Sequence, residues 1–227
     1  MKKHAGYIYS GQIAAYAYKA IEGKNYHTVI VISPSHREYF KGISVYSGEA
    51  YKTPIGIVEV DQEMRESLVA SSQFIQPGTA GHRAEHALEV QLPFLQTVLG
   101  NFKIVPCVMG DQEWIYVDAL AKAIAATAGE KTLVVASSDL SHFFSKEDAD
   151  MLDSKVAMHI NNFNYDLLQS DLESEKCHAC GGGPIVAMMK AAYLKGFRHA
   201  EVVARGDSGD ITGDNSEVVG YLSAVIY

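Results

Sequence analysis

At 227 residues the chain has the length of one large domain with a fully buried central sheet, and no break in composition divides it, so residues 1–227 are read as a single domain. A formal charge of −8, with no run of lysines or arginines, argues against a nucleic-acid or anionic-membrane surface, because phosphate binding needs concentrated positive charge. No apolar stretch approaches the roughly 20 residues that span a bilayer, and the start Met1-Lys2-Lys3-His4 lacks the apolar core of a signal peptide, so a cytoplasmic protein is expected.

In chain order, Ser10 to Gly23 carries Ile13, Ala14, Tyr16, Ala17, Ala20 and Ile21 on one broad helical face, with Ser10 as N-cap and Gly23 as stop. The run Thr28-Val29-Ile30-Val31-Ile32 is β-branched throughout and reads as a strand buried on both faces, ended by Ser33-Pro34-Ser35-His36. Shorter strands are expected around Ile43 to Tyr46 and Ile55 to Val60, then a helix capped by Asp61 through about Ala70, then a loop over 71–84. Glu85 to Leu99 reads as a helix bent or shifted by Pro93, Lys103 to Met109 as a strand, and Asp111 to about Ala128 as a helix. Thr132-Leu133-Val134-Val135-Ala136 is again a buried strand, and Ser137-Ser138-Asp139-Leu140-Ser141-His142 leaves its C-terminal end. Helices follow from about Lys146 to His159, near Asp166 to Ser174, and from Pro184 to Lys195, where proline suits a first turn. The chain closes with a strand at Ala200 to Ala204, a Gly/Asp loop over 205–215 and a strand from Val218 to Tyr227. Strands alternating with helices predict an α/β fold, a three-layer α/β/α sandwich with a mixed, mostly parallel central sheet.

Four stretches gather chemistry where strands end: that from His4, those ending at His36 and His142, and Cys177-His178-Ala179-Cys180-Gly181-Gly182-Gly183-Pro184. A thiolate with two imidazoles suits iron(II), copper or zinc, and His4, His36 and Cys180 are able to supply that set. The glycines after Cys180 allow close backbone approach, and the helix N-terminus there favours a thiolate. A lone strand-end histidine is more often a surface or satisfied core residue, and the chain has nine histidines, so the weight rests on the motifs together. Three cysteines, an odd number, make no disulfide framework and fit a reducing compartment. Cys177 and Cys180 form a C-x-x-C open to oxidation, but no second pair closes a structural zinc site; Cys107 reads as a core residue. Glu85 and His86 either line the pocket or only complement a helix end. Asp139 and His142, three apart, make either a carboxylate-oriented general base or a helix cap. Asp207, Asp210 and Asp214 lack the spacing of a calcium loop and read as turn structure.

At these residues the sequence resembles the Memo family, including the prokaryotic proteins called AmmeMemoRadiSam system protein B. The motifs are H-A-G-Y-I-Y-S-G from His4, P-S-H ending at His36, Y-K-T-P-I-G from Tyr51, E-H-A-L-E-V-Q-L-P-F-L from Glu85, S-S-D-L-S-H from Ser137, C-G-G-G-P-I from Cys180 and G-D-I-T-G-D-N-S from Gly209. The resemblance implies a fold like that of the class III extradiol dioxygenases, with a metal pocket above the sheet. It implies His4, His36 and Cys180 as metal ligands, iron or copper as the cation with zinc as a substitute, and His142 as acid/base with Asp139 and His86 beside the pocket. In the dioxygenases the third ligand is a carboxylate, and a thiolate there argues against ring cleavage. The family also carries a strand ahead of H-A-G-Y where this chain has Met1-Lys2-Lys3, so the sheet edge beside His4 is expected to be incomplete. Three functions follow as expectations. The first is a dioxygenase-like metal-dependent oxidoreductase acting on an unknown small molecule. The second is a non-enzymatic metal-binding or redox-responsive module for protein partners. The third is a thiol hydrolase at Cys180, for which no oxyanion element is visible.

Overall fold

The computed structural model describes residues 6–227. Its centre is a five-stranded sheet of β1 (Thr28–Pro34), β2 (Ile43–Tyr46), β5 (Ile75–Gly78), β6 (Lys103–Met109) and β7 (Thr132–Ala136), in the order β5-β2-β6-β1-β7. The pairings β1 with β6, β1 with β7 and β2 with β5 are parallel, and β2 with β6 is antiparallel. β3 (Ala50–Lys52) and β4 (Ile57–Glu59) make a separate hairpin. β8 (His142–Phe144), β9 (Ala200–Asp207) and β10 (Val218–Ile226) form a second sheet in the order β8-β10-β9.

Alternation along the central strands divides the apolar side chains between two cores, as the two-residue repeat of a strand requires. Ile30, Ile32, Val105 and Cys107 pack with Leu120 of α4 (Trp114–Thr127) and Val186 of α7 (Gly182–Leu194). Val29, Val31, Ile104 and Val108 pack on the other face with Tyr18 of α1 (Tyr7–Ala20) and Leu92 and Leu95 of α3 (Leu92–Val98). Helices therefore cover both faces, and the expected α/β/α sandwich with a mixed, mostly parallel sheet is the observed one. α2 (Gln62–Ala70) packs with α4, while α5 (Lys146–Asn161) lies on β9 and β10, and α6 (Tyr165–Glu173) joins α5 to α7.

Several boundaries differ from expectation for local reasons. The segment over 71–84 is not all loop: it holds β5, an edge strand in which Pro77 is tolerated because an outer edge needs no further N–H donor. Glu85 to Leu99 is not one helix, since the regular turns begin as a 3₁₀ turn at Glu89–Gln91 and become α-helical only at Leu92, with Pro93 in the first turn. Gly6, not Ser10, caps α1, and the Ser10 hydroxyl donates back to the Gly6 carbonyl. Asp61 caps α2 as expected, its carboxylate accepting from Met64 N at 3.0 Å. β7 has the composition of a doubly buried strand, yet each of its residues is only half-buried, whereas every residue of β1 is buried. Its inner edge pairs with β1, and among the described residues no strand pairs with its outer edge. Cys107 is a buried core thiol, and burial pushes its ionisation far up.

Below β2, His82 is held in one neutral form. Its Nδ1 accepts from the Tyr51 hydroxyl at 2.8 Å and its Nε2 donates to the Ser44 carbonyl at 3.1 Å. Burial lowers its pKa to about 4, more than the Ser44 carbonyl and the Glu38 charge raise it. As pH falls below about 6.5 the unfolded chain takes up this proton before the folded one, so the contribution to stability declines down to about pH 4 and is flat below. The shift sets an upper bound of about 3 kcal/mol on that loss. His82→Gln is expected to flatten the urea-midpoint profile between these pH values, and an unchanged profile would rule His82 out as its source.

Candidate functional site

The chemistry collects at the C-terminal edge of β1 and β7, where the parallel strands deliver Ser35-His36 and Ser137-Ser138-Asp139 side by side, as open α/β sheets do. Ser137 N continues the pairing by donating to the Ile32 carbonyl at 2.8 Å. Into this edge comes the loop before α7. Cys180 N donates to the Asp139 carbonyl at 3.0 Å, and Asp139 N–H points at Cys180 Sγ at 3.2 Å. Gly181 N donates to Ser138 Oγ at 2.8 Å. Glycine is needed here, because a Cβ at Gly181 would stand 2.3 Å from the Ser137 carbonyl oxygen.

Asp139, His142 and Cys180 offer ligand atoms that all lie within 4.8 Å of one another. The His142 Nε2 to Asp139 Oδ2 distance is 3.8 Å, beyond a hydrogen bond, so the two converge on a common space without being locked to each other. Both side chains are nearly sealed from solvent, at 6% and 4% exposure. The carboxylate is not a helix cap: Ser145 caps the following α5, accepting from Asp148 N. His142 opens the short strand β8, and the next residue, Phe143, has φ of 62°, an uncommon conformation for an aromatic residue and one that places backbone strain beside the site.

His36 is not part of that three-residue group but follows β1 at the same edge. Its backbone N–H donates to Glu85 Oε2 at 2.6 Å and its Nδ1 to Glu85 Oε1 at 3.1 Å. A carboxylate accepts, so the proton sits on Nδ1 and the lone pair on Nε2, the arrangement seen for histidines whose outer nitrogen is held by a carboxylate while the other coordinates. Glu85 also accepts from His86 N at 2.9 Å and Ala87 N at 3.0 Å. Burial alone would raise its pKa, but the His36 side chain and the Ala87 and His36 backbone donors outweigh it and bring it to about 2. Of the two expectations for Glu85, complementing a helix end does not describe it, since the first helical turn begins only at Glu89 and its carboxylate is taken up by His36 and by the His86 and Ala87 backbone. His86 is placed differently: its side chain is 55% exposed and its Nδ1 lies 2.5 Å from Glu89 Oε1, and it is not among the three residues whose ligand atoms converge. His4 lies outside the described residues.

Two glutamines to which sequence reasoning gave no role complete the frame. Gln112, just past β6 at the same sheet edge, donates to the Cys180 carbonyl at 2.9 Å and accepts from Gly183 N at 2.7 Å, clamping the start of α7. Gln91 donates to Ser137 Oγ at 2.7 Å, and Ser137 Oγ donates to the Ala87 carbonyl at 2.6 Å. Position directly after a parallel strand was the available signal for Gln112; the glutamine in E-V-Q-L gave none. Cys177 is a buried free thiol, pushed up to about 11 by burial first and the Asp171 charge second, and so protonated at neutral pH. The Asp loop is structural, since Lys146 Nζ binds Asp207 and Asp210, Asp207 accepts from Gly209 N, and Asp214 accepts from Ser216 N.

A thiol, a carboxylate and an imidazole joined at the end of a doubly covered sheet match the motifs of one family, and residues 1–225 match the family described as Memo-like protein. The chain belongs to the Memo-like family. A MEMO1 family protein of Methanobrevibacter smithii is 40% identical over 230 residues, covering 99% of this chain and 81% of that protein. A MEMO1 family protein of Methanocaldococcus jannaschii is 37% identical over 234 residues, covering 98% and 81%. In fold, the chain is similar to the crystal structure of the uncharacterized protein JW3007 from Escherichia coli K12, with a TM-score of 0.59, 14% identity and 91% of both chains covered. At that identity the likeness speaks for the fold alone. Among the described residues no helix is long and apolar enough to cross a membrane.

Proposed function

We propose that this Memo-like protein binds one iron(II) or copper ion at Cys180 and acts as a dioxygenase-like oxidoreductase on a small organic molecule. The observation that carries this is the convergence of Asp139, His142 and Cys180 within 4.8 Å. The residues fit a soft or borderline cation: a sulfur that receives a backbone N–H, an imidazole whose Nε2 lone pair is set by a buried carboxylate, and low exposure of the His36, Asp139 and His142 side chains. Such a cation, when bound, supplies Lewis acidity and one-electron chemistry that no protein side chain here has.

In this reading Cys180 Sγ and His36 Nε2 would hold the cation, with His4 as the third ligand. Glu85 keeps the proton of His36 on Nδ1. His142 Nε2 takes or gives a proton at the substrate, and the Asp139 carboxylate at 3.8 Å balances the charge of the protonated imidazole. Gln112, through the Cys180 carbonyl, and Ser138, through Gly181 N, hold the Cys180 loop at the end of the sheet.

The test is metal stoichiometry on protein loaded anaerobically with iron(II) or copper(I), followed by O2 uptake with a panel of catechols and thiols. About one equivalent is expected in the wild type. Losing a ligand should weaken binding by more than the ~10–100-fold that losing an outer partner costs, so Cys180→Ser and His36→Ala should both fall below detection. His142→Ala should keep the metal and lose O2 uptake. Loss of metal in His142→Ala with retention in His36→Ala would move the coordination to Asp139, His142 and Cys180. No stable binding by the wild type would sink the metalloenzyme, and stoichiometric binding without turnover on any substrate would favour a non-enzymatic metal-binding role with protein partners.

A further inference from the structure

Asp153, in the middle of α5, has no part in the site described above, yet its carboxyl ends against the loop that carries His142. The residue is 4% exposed, and its Oδ1 accepts at 3.0 Å from the N–H of Ser141, which immediately precedes His142. The other carboxyl oxygen lies on β10. A Cβ at Gly220 would stand 1.7 Å from Asp153 Oδ2 and 2.7 Å from its Cγ, so the glycine is what lets the carboxyl lie against that strand. Gly220 holds the same loop through its own backbone: its carbonyl accepts from Leu140 N at 2.9 Å and its N–H donates to the Ser141 carbonyl at 3.0 Å. At the other end the loop is fixed to Cys180 through the Asp139 N–H and carbonyl.

These two holds bracket the pair whose spacing matters, Asp139 and His142, which stand 3.8 Å apart. Directly after His142 the chain is strained. β10 pairs Val219 with His142 and Val218 with Phe144, so Phe143 is an extra residue, a bulge with φ of 62°. A bulky residue keeps that conformation only where its surroundings over-determine it. Downstream the pairing with β10 does so; upstream the hold is that of Gly220 and Asp153. The Asp153 carboxyl is not there as half of an ion pair. Among the described residues no cation is bonded to it, and Arg205 of β9 is taken up by Asp150 and Ser154. Burial raises its pKa more than the Ser141 N–H and the Arg205 charge lower it. A buried carboxyl without a cation is costly, and what this one holds is a single backbone N–H, that of Ser141.

We propose that Asp153 is a positioning residue for His142: by holding Ser141 N it fixes the main chain that keeps the imidazole apart from Asp139 and free to exchange a proton with substrate, the role given to His142 in the proposed function, on which this inference rests. Histidine ring NMR signals, metal stoichiometry and O2 uptake are compared in the full chain for the wild type, Asp153→Ala, Asp153→Asn and Gly220→Ala. Asp153→Ala is expected to move the His142 signal and leave in place those of His82, held by Tyr51 and Ser44, and of His199, stacked on Tyr227. It should cut O2 uptake by about a hundredfold at wild-type metal stoichiometry. Asparagine keeps an acceptor for Ser141 N and should restore both readings. Gly220→Ala should displace the carboxyl and reproduce the alanine effect, and should add nothing further in the Asp153→Ala chain, where the clashing atoms are gone. An unmoved His142 signal in Asp153→Ala, an Asp153→Asn protein as impaired as the alanine, or additive effects at 153 and 220 would overturn the proposal. Should Asp153→Ala not fold, Asp153→Asn and the Ser141 amide of the wild type decide: slow exchange of that amide is expected, and exchange at the rate of an open loop overturns the proposal. A wild type that takes up no O2 with any substrate sinks the oxidoreductase reading alone, because the His142 signal reports on Asp153 without turnover.

Discussion

Gly181→Ala is expected to destabilise the fold by about 2 kcal/mol or more and to abolish metal binding, although it removes no ligand and demands no unusual backbone angle. The added Cβ would meet the Ser137 carbonyl oxygen at 2.3 Å and Ser138 Cβ at 2.9 Å. The first is a backbone atom of the chain leaving β7, tied into the sheet through Ser137 N and the Ile32 carbonyl, so it is not free to swing aside as a long side chain does. Relief must come from the loop that carries Cys180. Moving that loop breaks the bond from Gly181 N to Ser138 Oγ, that from Cys180 N to the Asp139 carbonyl, and the contact from Asp139 N to Cys180 Sγ. A shift of even 1 Å is as damaging to a positioned site as the loss of a residue. The comparison is Gly100→Ala, where a Cβ meets nothing within 4 Å and the effect should be within about 0.5 kcal/mol. Urea unfolding and metal stoichiometry on the two variants measure both effects, and a Gly181→Ala protein that binds one equivalent with wild-type stability would show that the loop is not held against β7 as described.

What the sequence made legible follows from what is periodic in it. β1 and β7 are short runs rich in β-branched residues and ended by turn residues, α2 is announced by Asp61, and the segments leading to His36 and His142 are marked by the serines that break each run. The family motifs then supplied the grouping of distant segments, which periodicity alone does not contain. Three features escaped. β5 is written Ile75-Gln76-Pro77-Gly78, with no alternation and a proline, because an edge strand is defined by the partner it lies against. β7 and β1 have equivalent compositions and different burial, because burial depends on whether a neighbour occupies the outer edge. The orientations of Glu85 and His86 were the third: adjacent residues in a turn point in different directions, and only the fold decides that the carboxylate turns in to His36 while the imidazole turns out to Glu89.

That inward carboxylate gives the second large expectation: Glu85→Ala should cost about 3–5 kcal/mol, more than truncation of an ordinary buried apolar side chain of similar size. Four contacts end on Glu85: the backbone N–H groups of His36, His86 and Ala87, and His36 Nδ1. Each buried donor that loses such an acceptor costs about 1–3 kcal/mol, and Ala87 is fully buried. Because these donors hold the folded pKa at about 2, below the ordinary value of 4.5, the stabilisation is fully present above about pH 4.5 and is lost as pH falls toward 2. Glu85→Gln keeps the shape and one acceptor oxygen, so it should fall between the wild type and alanine, and it should remove the acid-dependent part of the stability in that window. The same variant separates structure from function. With an amide in place of the carboxylate, His36 keeps its place but its Nδ1–H loses a charged acceptor, so metal affinity should drop by ~10–100-fold while the fold survives. Denaturant midpoints between pH 2 and 7, read beside metal affinity at neutral pH, test both halves. If Glu85→Ala lay within 1 kcal/mol of the wild type, water must already satisfy those donors, and Glu85 would not be what orients His36.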